Sequence, residues 1–360
     1  MASPRQARAT LRQVADLARV SVSTASLVFS GKGPVAAATA ERVRAAAEQI
    51  GFTGPDPRAS SLRHGRAGAV GVLVEGRLRM AFRDPFAIAV LDGLAEVLDT
   101  VPTGMLLVGQ TTDDPASLVP QLAGLAVDAV VFSLCGPGDN PAVAHLAARG
   151  IPMFSTGVPD DPRVTQVRID ERAAFAQISS HVRDLGHTRV ATVTMPLSTT
   201  AVAGPVAQGD PDVRSGSVPS IERLLGFRDV FGPDAPAVQT ADGSSVEGGL
   251  ASGRLLLDVD AAARPTAVVA QSDVIAAGVI RAAEDLGLRV PEDLSVTGFD
   301  GVDLPWLPHR LTTIDQGGHE KGRLLGEMVR ACLDSPDGTR PTSRTQTVAL
   351  RVGTTTAPPR

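Results

Sequence analysis

From residue 69 onward the chain alternates short apolar runs with longer helical segments, and this rhythm restricts the fold more than any other feature. The apolar runs fall at 69–74, 104–108, 128–132, 151–155, 189–194, 266–270 and 294–298. Helical periodicity occupies the stretches near 85–99, 115–125, 140–149, 171–185, 221–231, 246–258, 274–286 and 318–333. Strands separated by helices need crossover connections, so the pattern predicts parallel sheets covered by helices on both faces. It runs to the end of a 360-residue chain, which is too far for one small sheet and predicts two doubly wound lobes. The stretch 197–220 is rich in Ala, Gly, Pro, Ser and Asp without any period, and reads as a mobile loop.

The first residues follow a different rule. Thr10 is a suitable N-cap for a helix whose apolar positions are Leu11, Val14, Ala15, Leu17 and Ala18. Arg19-Val20 turns the chain, and Ser21 caps a second helix from Val22 to about Phe29. Gly31-Lys32-Gly33-Pro34 ends it, since none of these continues a helix cheaply. A third helix begins near Thr39, carries the stripe Val43, Ala46, Ala47 and Ile50, and stops at Gly51. Two short helices joined by a tight turn, with a third closing the core, is a helix-turn-helix. Residues 54–68 follow as a linker containing Pro55 and Pro57, with room for one short helix over 59–63. The expected organisation is therefore a helix-turn-helix domain over 1–53, a hinge helix and linker over 54–68, and a core over 69–360.

Charge is segregated along the same boundary. Residues 1–66 hold ten basic and four acidic side chains, a net +6, so the formal total of -5 leaves -11 on the remainder. A basic head on an acidic body is suited to meet a polyanion with the head while the body stays clear.

Other classes find little support. No run approaches 18 consecutive apolar residues and the N-terminus lacks a basic lead before an apolar stretch, so a soluble, cytoplasmic protein without a membrane partner is expected. Cys135 and Cys332 lack metal-binding spacing and read as structural thiols. No phosphate-binding Gly-rich loop or nucleophile elbow is present, and the histidines are scattered. Neither catalysis nor a cofactor or metal is expected. The alternative is a solute-binding protein without a regulatory role, against which the basic head and the missing leader both argue.

The segment from Thr10 through Ser30, TLRQVADLARVSVSTASLVFS, strongly resembles the DNA-binding head of LacI/GalR-type transcriptional regulators. The resemblance continues through Glu41-Arg42-Val43, Ala46-Ala47 and Gly51-Phe52 into Pro55-Asp56-Pro57-Arg58-Ala59-Ser60-Ser61-Leu62-Arg63. In the core it takes in Leu185-Gly186-His187, Arg223 with Gly226-Phe227, Pro265-Thr266-Ala267, Ser272-Asp273, Gly298-Phe299-Asp300 and Leu311-Thr312-Thr313-Ile314 with Gln316. It implies an all-α helix-turn-helix head, a hinge, and an α/β two-lobed core resembling periplasmic sugar-binding proteins. Lobe one is placed at about 69–156 and 300–314, and lobe two at about 167–297 and 318–360.

The resemblance also implies a function: sequence-specific binding to a near-palindromic operator, by default as a repressor and a homodimer or larger assembly, modulated by a small metabolite between the lobes. Val22, Ser23 and Leu27 match base-reading positions, and Ser21, Thr24, Ser26 and Thr39 match phosphate contacts. Leu27 stands where many relatives carry arginine, so a bidentate contact to guanine is replaced by apolar readout. Leu62 matches a leucine that wedges open a minor-groove base step, with Ala59 allowing two hinge helices to approach closely. For the effector, Asp170, Arg223, Ser272, Asp273 and Asp300 match cleft positions in one lobe, and Phe82 and Phe86 wall it from the other. Ser272 and Glu171 occupy positions often held by asparagine, and Gly301 one often held by aspartate. Without tyrosine, and with Trp306 the sole tryptophan, aromatic stacking surface for a sugar is sparse; Trp306 itself reads as packing near the lobe crossover.

Overall fold

The computed structural model describes residues 9–30, 33–54, 66–74, 78–110, 115–133, 136, 138–198, 200–207, 209, 216–335 and 337–360. It divides into two units, Met1–Ala67 and Gly68–Arg360. Ala59 and Leu62 of the expected hinge helix, and Cys135, lie outside the described residues.

The head contains α1 (Leu11–Ala18), α2 (Val22–Ser30) and α3 (Ala37–Gln49). Thr10 and Gln13 form a reciprocal capping box at α1, satisfying donors that a helix N-terminus leaves unpaired. Arg19 ends α1 in the left-handed region at φ 52°, and that reversal sets α2 across α1. Val14, Ala15, Ala25, Val43 and Ala47 bury against Phe52, whose ring meets Phe29 edge-on at 5.3 Å. The third helix starts two residues before Thr39, without a side-chain cap.

The core begins with β1 (Ala69–Val74), α4 (Leu78–Ala81), α5 (Pro85–Leu98), β2 (Gly104–Gly109), α6 (Leu118–Ala123), β3 (Ala129–Ser133), α7 (Pro141–Ala148), β4 (Met153–Ser155) and β5 (Val164–Arg168). It continues with α8 (Glu171–Asp184), β6 (Val190–Thr194), β7 (Gly204–Pro205), α9 (Val218–Phe231), β8 (Ala237–Gln239), α10 (Val246–Leu257), β9 (Ala267–Ala270), α11 (Asp273–Asp285), β10 (Ser295–Thr297) and β11 (Thr313–Asp315). Helix α12 (Gly318–Asp334), β12 (Arg344–Thr345) and β13 (Ala349–Arg351) complete it.

Among the described residues two larger sheets organise these elements, and β11 pairs antiparallel with β13 in a third. The first is wholly parallel in the order β12-β5-β4-β3-β1-β2, and the second runs β10-β9-β6-β8-β7 with only β7 antiparallel. Their strands read as continuous apolar runs because both faces are covered. In lobe one, α5 and α12 cover the face lined by Val70, Val72 and Phe154, and α6 and α7 the face lined by Leu73, Val130 and Phe132. In lobe two, α10 and α11 cover Val193 and Val268, and α8 and α9 cover Val190 and Val269.

The expected lobe boundaries need correction. Strand β5 pairs with β4 and β12 in the first sheet, so the chain stays in lobe one through Arg168 instead of leaving it at 156–166. Residues 300–314 belong to lobe two, because Gly298 and Asp300 donate to the carbonyls of Thr312 and Ile314 at 2.9 Å. Helix α12 belongs to lobe one, with Leu325, Met328 and Val329 in its core. The chain thus crosses at 168–171, 315–318 and 345–349. The stretch 197–220, expected as a mobile loop, contributes β7 to the sheet edge through its described residues, and Ser198 bridges Gly216. Trp306 is 57% exposed on the β10–β11 connection instead of packed at the crossover.

Candidate functional site

On the head, the start of α2 presents polar hydroxyls and two apolar side chains. Ser21 Oγ accepts from Thr24 N at 3.0 Å, capping the helix, and lies 2.8 Å from both Ser23 Oγ and Thr24 Oγ1. Val22 and Leu27 are 40% and 38% exposed while Ala25 between them is fully buried, so one face of α2 holds the helix in the head and the other is presented outward. Ser21, Val22, Ser23 and Leu27 are exposed, and Thr24 and Ser26 half-buried. Thr39, half-buried, occupies the first turn of α3. Cationic side chains and short hydroxyls at helix starts are the groups that hold phosphates.

The core contains a cleft of about 860 Å³ lined from both lobes. Loops at strand ends build it, where α/β sheets place ligand sites. Lobe two supplies Asp170, Arg223, Ser272 and Asp300; lobe one supplies Asp84, Phe86 and Lys321; Gln316 enters from a crossing. The fold thus brings together five of the seven residues expected around an effector: Phe86, Asp170, Arg223, Ser272 and Asp300.

The other two are corrected. Phe82 is 59% exposed and not among the cleft-lining residues. Asp273 is turned away into the protein. Its carboxylate accepts from Thr313 Oγ1 at 2.6 Å and Val302 N at 2.8 Å, tying the loop after β10 to β11. A Cβ on Gly298 would sit 2.1 Å from Asp273 Oδ1, so a glycine is needed for this approach.

Arg223 is held on three sides. Nε donates to Glu171 Oε2 at 2.7 Å, Nη1 to the Gln271 carbonyl at 2.7 Å, and the guanidinium lies 3.9 Å from the centroid of Phe299. Glu171, at the departure from asparagine, is therefore the arginine's anionic partner. Fixed this way, Arg223 offers a preorganised edge to the cleft. Ser272 caps α11 by accepting from Ile275 N at 3.1 Å and meets Ser244 Oγ at 2.7 Å; Asp170 caps α8 by accepting from Ala173 N at 2.9 Å.

Asp300 sits in strained backbone, at φ 131°, with its carboxylate buried. Gln316 Nε2 donates to its Oδ1 at 2.7 Å, and Lys321 Nζ donates to Gln316 Oε1 at 3.2 Å. Lys321 also lies 5.5 Å from the Phe86 ring centroid. Side chains therefore run from Asp300 in lobe two through the crossing to α12 and α5 in lobe one. Burial pushes Asp300 well above the ordinary carboxylate range, Arg223 opposes this, and the charges of Asp273 and Asp84 reinforce it. Burial also raises Asp84, against the backbone N–H groups of Phe86 and Ala87 and the charge of Arg223. Carboxyl groups gathered in one partly buried cleft are suited to pair with the hydroxyl or amine groups of a ligand.

The sequence met Gln316 only as part of the resemblance and assigned no role to Asp84 or Lys321. The signal was available, because Lys321 falls on the buried stripe of α12 with Leu325, Met328 and Cys332, where an unpaired lysine is costly. It is also one of two lysines, with Lys32, in a chain whose 34 Lys and Arg residues are otherwise arginine. Among the described residues no His/Cys/Asp/Glu group is arranged to hold a metal ion, and no helix is long and apolar enough to cross a membrane.

Comparison with known proteins decides what this assembly is. Residues 10–54 match the bacterial regulatory proteins of the lacI family, and residues 179–356 match the periplasmic binding protein-like domain. An HTH-type transcriptional regulator of Mycolicibacterium smegmatis is 33% identical over 337 residues, covering 89% of this chain and 90% of that protein. The chain belongs to the lacI family of bacterial regulatory proteins. It is a DNA-binding transcriptional regulator and not an enzyme. Among solved structures, this lacI-family regulator is similar to a transcriptional regulator CelR–cellobiose complex, at 26% identity and TM-score 0.66 over 97% of this chain and 100% of that one. It shares its fold with the lac repressor dimer bound to operator and an anti-inducer, at 22% identity and TM-score 0.74 over 98% and 100%.

Proposed function

We propose that this regulator is a cytoplasmic repressor whose homodimer binds a near-palindromic operator, and that a sugar or sugar-like metabolite seated between the core lobes modulates that binding. The observation that carries the reading is the polar relay Asp300–Gln316–Lys321, which reaches both lobes at the cleft. A ligand that bonds to groups on both sides favours one lobe arrangement, and only such differential affinity shifts an equilibrium. Carboxylates, amide and cations in one cleft accept and donate to vicinal hydroxyls together, and the CelR–cellobiose complex supports a sugar as the class. The lac repressor dimer on operator supports the dimer and its two-fold site. Ser21, Thr24, Ser26 and Thr39 then contact phosphate, Val22, Ser23 and Leu27 contact bases, and Ala59 and Leu62 form the hinge contact.

The test is a thermal-shift screen of mono- and disaccharides against wild type and Asp300→Asn. A ligand binding only the folded protein adds roughly 2.7 kcal/mol at a hundred times its Kd. Wild type should be protected and Asp300→Asn should lose most of the protection. Equal protection of both proteins by a screened sugar would place its seat outside the cleft.

A further inference from the structure

The chain passes between the lobes three times, and one residue is bonded into all three passages. Gln346 lies in the third crossing, just after β12. Its backbone N–H donates to the Arg168 carbonyl at 2.7 Å, in the first crossing, extending the parallel β5–β12 pairing by one bond. Its side-chain Nε2 donates to the Gly317 carbonyl at 3.3 Å, in the second crossing. Gly317 adopts φ 60°, which favours glycine, and a Cβ there would sit 2.6 Å from Gln346 Nε2, so a side chain at 317 would push the amide aside. The remaining amide atom, Gln346 Oε1, is buried without a hydrogen-bond partner. Next to Gly317 is Gln316, which holds Asp300 and Lys321 in the cleft.

We propose that Gln346 is a positioning residue that keeps the three crossings in register and thereby sets the angle between the lobes. Lobe motions concentrate in a few residues at element ends that absorb the backbone change. Here the main-chain N–H of Gln346 ties the third crossing to the first and its side-chain amide ties it to the second, so the three crossings are linked through one residue. The buried, unpartnered Oε1 costs free energy in this arrangement, which favours a second arrangement in which the crossings shift and the carbonyl finds a donor. For its regulatory consequence the proposal rests on the effector reading above: an effector that changes the lobe angle acts against this bolt.

Hydrogen exchange of the full-length protein without ligand tests the bolt separately from the effector. In Gln346→Ala and Gln346→Glu the bond to the Gly317 carbonyl is lost while the main-chain bond to Arg168 remains, so amides at 315–318 and 345–349 should exchange faster by roughly twofold to tenfold, the effect of losing one hydrogen bond, and those at 168–171 should follow through the retained bond. Gly317→Ala should reproduce the pattern by displacing the amide, and combining it with Gln346→Ala should add less than the two effects summed. Pulsed electron resonance between labels at Ala148→Cys and Asp234→Cys, with Cys135→Ser, should show a broadened or shifted interlobe distance in Gln346→Ala. Exchange confined to 345–349, or an unchanged interlobe distance, overturns the proposal. Neither result bears on whether a sugar occupies the cleft, which the Asp300→Asn screen decides.

Discussion

Asp273 and Lys321 are charged residues buried where a hydrophobic pattern has no place for them, and they do different things. Burial pushes the Asp273 carboxyl up to about 6 against the hydrogen bonds from Thr313 and the backbone. Its folded pKa exceeds its unfolded value, so protonation favours the folded state. The stabilisation is complete below about pH 4 and is lost as pH rises through about 6. His181 and His187, lowered by burial, act in the opposite sense over a neighbouring window, so the comparison that isolates Asp273 is with Asp273→Asn. The advantage of wild type over this variant in denaturant midpoint should be largest near pH 4 and shrink by pH 7. A constant difference across that range would mean that Asp273 does not titrate there. Lys321→Met should keep the fold, because the apolar stem and the thioether fill the same stripe, yet weaken an effector found in the saccharide screen by roughly tenfold or more, the usual scale for losing a hydrogen bond to a charged group. Titration calorimetry checks this, and an unchanged Kd would make Lys321 structural. In the sequence Asp273 was expected at the cleft because the resemblance placed it there with Ser272, after the apolar run 266–270. Nothing in that spacing revealed that Thr313, forty positions on, would claim its carboxylate.

At the scale of elements, helix pairs within each lobe are drawn together at glycines. A Cβ on Gly93 of α5 would lie 2.0 Å from the His319 carbonyl of α12, and one on Gly322 of α12 would lie 2.0 Å from the Val90 carbonyl of α5. Gly249 and Gly278 do the same for α10 and α11, each 2.3 Å from a carbonyl of the other helix, and Gly226 does so for α9 against α8. Contacts with backbone cannot be relieved by a rotamer change, so Gly322→Ala should destabilise the core by about 1–3 kcal/mol or more. An unchanged denaturation midpoint would show that the helices slide apart freely. These close approaches also explain which part of the fold was legible. Apolar runs and the 3.6-residue period placed most strands and helices to within a few residues, since each burial pattern is a local property. The lobe assignment failed because it depends on partners distant in sequence: α12 joins lobe one through Gly93 and Gly322, and β5 joins it through β4 and β12. The strands β8, β11, β12 and β13, of two or three residues each, are too short to show any period.

For the whole molecule, charge and lobe geometry make separate predictions. If the basic head meets the DNA backbone, operator affinity should fall with salt along a log–log slope of about -0.9 per neutralised phosphate, and a flat response measured by fluorescence anisotropy would contradict it. Leu62→Ala should reduce operator affinity and DNA bending while leaving the cleft's ligand affinity unchanged; wild-type bending in a gel assay would remove the wedge from the account. The coupling of head to cleft is the stronger test, because thermodynamics constrains its form. If an effector changes operator affinity by some factor, operator must change effector affinity by the same factor, and such couplings are typically about 1–3 kcal/mol. A saccharide that protects the wild-type core should therefore be titrated against protein alone and protein saturated with operator. The ratio of its two Kd values should equal the ratio of operator Kd values measured with and without saccharide. Asp300→Asn should bring both ratios towards one, because it removes a group on one side of the cleft while the DNA-binding face of α2 stays intact. Ratios near one for wild type, despite protection by the saccharide, would mean that the cleft binds a metabolite without instructing the DNA-binding head.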